Sequence, residues 1–135
     1  MNLEANVGLT FDGDCEAAFK LYADLFEAKL DFMLTWGASP LADKAPRGWA
    51  SKVLFARLKG PSVTLTGADV LPGSYRAPTG FNLCLSTGDA GEAERLFAEL
   101  ATGGTVRMPL ESTFFAKRYG EVVDRFGIPW EVRTR

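Results

Sequence analysis

The residues of this chain that could do chemistry are few, and the chain has no histidine at all. That single absence removes the usual metal ligand and the usual general base. What remains is carboxylate, thiol, phenol and guanidinium chemistry. Glu131 lies in the run DRFGIPWEVR (124–133), flanked by Trp130 and Val132. With apolar neighbours on both sides, its side chain points to the opposite face of a strand. There it could be a metal ligand, a general base or a solvated charge. Cys84 could be a nucleophile, but a reactive thiol needs a base or a positive field, and any cation must come from Arg118, Arg133 or a lysine. Cys15 opens a helical stretch, where the helix dipole favours thiolate, yet a small residue at a crowded helix entry is the simpler reading. Arg118 and Tyr119 stand side by side and could clamp a carboxylate or phenolate, or pair with Glu111 or Asp124.

Elements that position these groups follow from periodicity. Residues 6–11 (NVGLTF) alternate as a half-buried strand, and 13–26 (GDCEAAFKLYADLF) repeat apolar residues at helical spacing behind Asp14, a good N-cap. Residues 29–36, 51–58 and 62–68 read as strands, the last two turning at Lys59–Pro61. Residues 37–48 and 69–80 are rich in turn formers. The pattern then begins again: a strand over 81–86, an amphipathic helix over 88–100, a strand over 103–110 after a glycine stop, and strands over 118–124 and 128–133. GDCEAAFKLYADL (13–25) lies on GDAGEAERLFAEL (88–100) without a gap, with matching Gly, Asp, Ala and Leu positions. Two copies of a βαβββ module, about 1–70 and 78–135, therefore build a single α+β domain over 1–135. Each curved mixed sheet is backed by one helix, leaving its other face to line a cavity.

The totals narrow the function further. A 135-residue chain with 47% hydrophobic and 24% charged residues has the composition of a globular domain with a real core. A net charge of −2 and no basic run argue against nucleic acid. No apolar stretch is long enough for a membrane span. Two distant cysteines and no signal-peptide pattern lead to the expectation of a cytoplasmic protein.

LTFDGDCEAAFKLYADLF near the start, GADV (67–70), and LATGGTVRMPLESTFFAKRYGEVVDRFGIPWEV at the end carry a resemblance covering nearly the whole chain. The sequence resembles the vicinal oxygen chelate superfamily of glyoxalases, bleomycin-resistance proteins and extradiol dioxygenases, and within it the PhnB-like, "3-demethylubiquinone methyltransferase-like" branch. Enzymes of the superfamily hold a divalent metal on four cavity-facing strands. Carried over by strand, those positions fall on Asn6, Thr64 (or Thr66), Asn82 and Glu131, and Asn6, Asn82 and Glu131 each lie on the face opposite their apolar neighbours. Cys84, two residues beyond Asn82, shares that side. One carboxylate with two amides and a hydroxyl is a poor transition-metal set, because amide oxygens are neutral and hard. The expectation is therefore no bound metal and no cofactor. Methyl transfer is not expected either, since TGG (102–104) follows a helix and precedes a strand, the reverse of the usual S-adenosylmethionine turn. Trp36, Trp49, Phe114 and Phe115 would suit the mouth of an apolar cavity, or a core or interface.

The resemblance and the residues favour a small-molecule binding protein with a degenerate, metal-free cavity, with Asn6, Thr64, Asn82, Cys84, Arg118 and Glu131 contacting a small organic ligand. A homodimer is expected, because eight strands with two helices leave sheet edges to cover. The alternatives are a lyase, isomerase or dioxygenase-type enzyme using Glu131 as metal ligand or base, and a structural or regulatory dimer with a vestigial cavity.

Overall fold

The computed structural model describes residues 1–135. Eight strands and two α-helices alternate as two strand–helix–strand–strand–strand runs. The chain divides into two compact units, Met1–Tyr75 and Arg76–Arg135.

In the first unit, β1 (Val7–Phe11), β2 (Lys29–Thr35), β3 (Val53–Lys59) and β4 (Thr64–Asp69) form a sheet in the order β1-β4-β3-β2. β1 runs parallel to β4, and the other pairs are antiparallel. Helix α1 (Cys15–Leu25) packs on this sheet through Ala18, Phe19 and Tyr22, all fully buried. Phe11 and Phe19 meet edge to face at 6.0 Å. Phe19 comes so close to β4 that a Cβ on Gly67 would stand 2.6 Å from its ring. Glycine is what lets helix and strand approach here.

The start of α1 departs from the sequence reading. Asp14 occupies the N-cap position but its side chain accepts no capping hydrogen bond. Asp69, at the far end of β4, does that work: its Oδ1 accepts from the Gly13 N–H (2.9 Å) and the Cys15 N–H (3.0 Å), and its Oδ2 from the Val53 N–H (2.9 Å). A buried carboxylate is tolerable when its oxygens are met by donors in this way. Trp36 is also core rather than cavity mouth; its indole N–H donates to the Asp69 carbonyl at 3.0 Å.

The second unit repeats the plan with β5 (Leu83–Thr87), β6 (Thr105–Glu111), β7 (Tyr119–Val123) and β8 (Pro129–Thr134), in the order β5-β8-β7-β6. Helix α2 (Ala90–Ala101) buries Ala93, Leu96 and Leu100 against the sheet. Asp89 caps it as expected of its residue type, accepting from the Gly91 N–H at 2.8 Å. Gly103, with φ of 74°, takes the left-handed conformation just past the helix end. Trp130, Val122, Ile128 and Val132 fill the core, and the Trp130 indole N–H reaches Asp124 at 2.9 Å. Neither helix is long and apolar enough to cross a membrane.

Registers make the repeat quantitative. Thr66 pairs with Gly8 on one side and Arg57 on the other. Glu131 pairs with Cys84 and Glu121 in the same arrangement. Of the two fourth-strand positions carried over from the resemblance, Thr66 rather than Thr64 is thus the internal counterpart of Glu131.

Candidate functional site

The face of the second sheet turned away from α2 gathers the polar groups. Alternation along β8 sends Trp130 and Val132 to the helix and Glu131 and Arg133 to the opposite face. On β7 the same alternation places Tyr119 and Glu121 with Glu131, while Gly120 and Val122 face the helix. On β5, Cys84 stands beside Glu131.

Asn82 lies just before β5 and donates its amide Nδ2–H to Glu131 Oε1 at 3.4 Å. Tyr119 donates its phenol O–H to Glu121 Oε2 at 2.9 Å. Partial burial, the Glu121 hydrogen bond and the nearby Glu131 carboxylate push the phenol up to about 12. Tyr119 is therefore a donor across the physiological range, not a phenolate. The Cys84 sulfur is pushed up by desolvation first and by Glu131 second, with Arg133 acting in the opposite sense. This disfavours the thiolate that nucleophilic attack would need. The Cys15 thiol is pushed up by burial and by Asp69 and Glu16, which outweigh the helix dipole invoked above.

Three of the six residues singled out from the sequence come together: Asn82, Cys84 and Glu131. Asn6 and Thr64 belong to the first unit. Asn6 is exposed immediately before β1, and Thr64 opens β4 opposite Lys59. Arg118 does not join the group. It precedes Tyr119 by one residue, so it turns to the helix side, where Nε lies 3.6 Å from Glu94 of α2. It pairs with neither Glu111 nor Asp124 in the way its sequence suggested. Glu121 is the member that sequence reasoning passed over. Its signal was the alternation within RYGEV, which puts Glu121 on the face of Tyr119.

The metal implied by the superfamily resemblance can be tested against these donors. No three His, Cys, Asp or Glu side chains converge as a metal-holding group. Around Glu131 stand a neutral amide, a protonated thiol, a phenol and one further carboxylate, Glu121, which already accepts from that phenol. That set does not fit a transition metal, which prefers imidazole or thiolate, nor a hard cation, which needs more anionic oxygen. The face can accept hydrogen bonds and positive charge at its carboxylates.

Comparison with known proteins gives a consistent picture. The family described as 3-demethylubiquinone-9 3-methyltransferase matches residues 4–133. Protein YjdN of Escherichia coli K12 is 28% identical over 134 residues, covering 93% of this chain and 91% of YjdN. The crystal structure of protein PA1353 from Pseudomonas aeruginosa superposes with a TM-score of 0.89 at 38% identity, covering 99% of this chain and 98% of that one. A glyoxalase-related enzyme from Fulvimarina pelagi shares the fold at 19% identity, with a TM-score of 0.63 and coverage of 100% and 89%.

Proposed function

We propose, for a chain that belongs to the PhnB-like 3-demethylubiquinone-9 3-methyltransferase family within the vicinal oxygen chelate superfamily, a role in binding a small organic molecule without a metal. The observation that carries this reading is the Asn82–Glu131 hydrogen bond on the helix-free face of the second sheet. An amide stands where the superfamily resemblance places a histidine, and it offers hydrogens to the carboxylate instead of sharing a metal with it. A ligand donor can replace the amide or water at Glu131, with Tyr119 and Cys84 as neighbouring polar contacts.

Methyl transfer forms no part of this proposal. TGG (102–104) lies between the end of α2 and the start of β6, so it is not a strand-to-helix turn of the kind that cradles S-adenosylmethionine. A lyase- or isomerase-type role with Glu131 as base is the second reading, and the half-buried Glu131 carboxylate near the Tyr119 phenol supports it.

The protein acts in this proposal as a homodimer. The outer strands β2 and β6 are largely exposed, and apolar residues such as Phe32, Met33, Val106 and Met108 are open on them. Such edges are association surfaces unless covered.

Native mass spectrometry of the protein as isolated, prepared without chelator, tests the reading. Expected are a dimer and an organic adduct that dissociates on activation, with no metal mass. About one zinc, nickel, iron or manganese ion per chain, retained on dilution, would overturn the metal-free role.

A further inference from the structure

We propose that the ligand of this face carries an organic ammonium group, seated between Glu121 and Glu131 and against the aromatic corner formed by Tyr119 and Phe115. This rests on the binding reading above and names the class of ligand.

Charge is the first argument. Glu121 and Glu131 are Cα partners on adjacent antiparallel strands, so their side chains leave the same face side by side. Like charges in that relation repel. Each carboxylate has a neutral donor, Tyr119 for Glu121 and Asn82 for Glu131, and neither takes part in an ion pair. Arg133, opposite Tyr119 on the same face, is the nearest cation by register, and Arg118 is drawn away to Glu94.

The internal repeat supplies a control. The first unit has the same strand order and the same register, with Thr66 and Arg57 at the positions of Glu131 and Glu121. There the charge is compensated, with Arg57 Nε 3.0 Å from Asp31 Oδ1. The architecture therefore does not require two carboxylates at these positions. In the second unit two carboxylates stand together with no ion pair to either.

Aromatic groups are the second, independent argument. The Phe115 ring meets Tyr119 at 5.0 Å and 73°, and Phe114 meets Phe115 at 5.0 Å and 81°. Phe115 is half exposed, although an aromatic ring gains by burial. It is held in place by Thr113, whose Oγ1 accepts from the Phe115 and Ala116 N–H groups at 3.4 and 3.1 Å. Two rings at nearly right angles, next to carboxylates, offer π faces and negative charge together. That combination selects an organic cation over both a neutral aromatic and a bare metal ion.

The experiment is an NMR titration of the full chain with benzylammonium, benzyl alcohol and benzoate, followed at the Tyr119, Glu121 and Glu131 amides. Benzylammonium should bind about tenfold more tightly than benzyl alcohol, and benzoate should not bind. Glu121→Gln should remove most of that preference, weakening benzylammonium far more than benzyl alcohol. Phe115→Leu should weaken both aromatic probes while keeping the preference for the cation. Equal binding of benzylammonium and benzyl alcohol would overturn the ammonium class and leave the binding reading standing. Failure of every probe to shift these amides, up to its solubility, would overturn both.

Discussion

Glu121 and Glu131 stand directly opposite one another on β7 and β8, each hydrogen-bonded to a neutral donor and neither joined to a cation. Cross-strand pairs of like charge cost stability rather than supply it. A double-mutant cycle of Glu121→Gln and Glu131→Gln should therefore report a repulsive coupling of about 0.5 kcal/mol at low salt. Added salt should shrink it. Denaturant titrations that return a favourable coupling, or one indifferent to salt, would refute the opposition.

The Asp69 carboxylate ties together the start of α1, the start of β3 and the end of β4. Asp69→Ala leaves three buried or half-buried N–H groups without their acceptor and should cost about 4 kcal/mol. Asp14→Ala, at the nominal N-cap of the same helix, should change stability by less than about 0.5 kcal/mol, because Asp14 makes no capping bond. Thermal unfolding of the two variants side by side decides the matter. A larger loss for Asp14→Ala would reverse the assignment.

The contrast between Asp14 and Asp69 shows where the sequence was legible and where it stopped. Helix periodicity in 13–25 and 88–100, alternation in the strands and glycine at 103 are local signals, so both modules could be read residue by residue. Asp14 satisfies the local rule for a cap but makes no capping bond, while Asp69 reaches the Cys15 N–H at the helix start from 54 residues away. Glu121 was missed for a related reason. Its importance lies in its register with Glu131 across two strands, and register is settled by packing and turns rather than by either strand alone. Arg118 and Tyr119, adjacent in sequence, could form one clamp only by sharing a face. Strand alternation separates the two.

Tyr119 should titrate late. Its folded value of about 12 lies above the ordinary value for tyrosine, so the unfolded chain releases this proton first as pH rises. The stability linked to Tyr119 is then fully present below the unfolded value and is lost as pH climbs toward 12. Partial exposure of the ring keeps the effect modest. Absorbance titration at the phenolate band should show a late component that is lost in Tyr119→Phe and moves earlier in Glu121→Gln. A normal titration in the parent protein would count against the Tyr119–Glu121 bond.

Cys84 offers the most direct readout of Glu131 in solution. Its sulfur is reachable, since the residue is exposed, while Cys15 is buried. Desolvation and the Glu131 carboxylate hold Cys84 in the thiol form, so alkylation near neutral pH should be slower than for a free cysteine. Glu131→Gln removes the negative charge beside the sulfur and should speed alkylation about threefold, through a larger thiolate fraction. Arg133→Gln should slow it, since Arg133 is the cation that favours the thiolate. Iodoacetamide labelling followed by intact-mass measurement gives both rates, with Cys15 remaining unlabelled in the folded protein as an internal standard. If Glu131→Gln left the Cys84 rate unchanged, or lowered it, the electrostatic contact between the two side chains would not exist in solution.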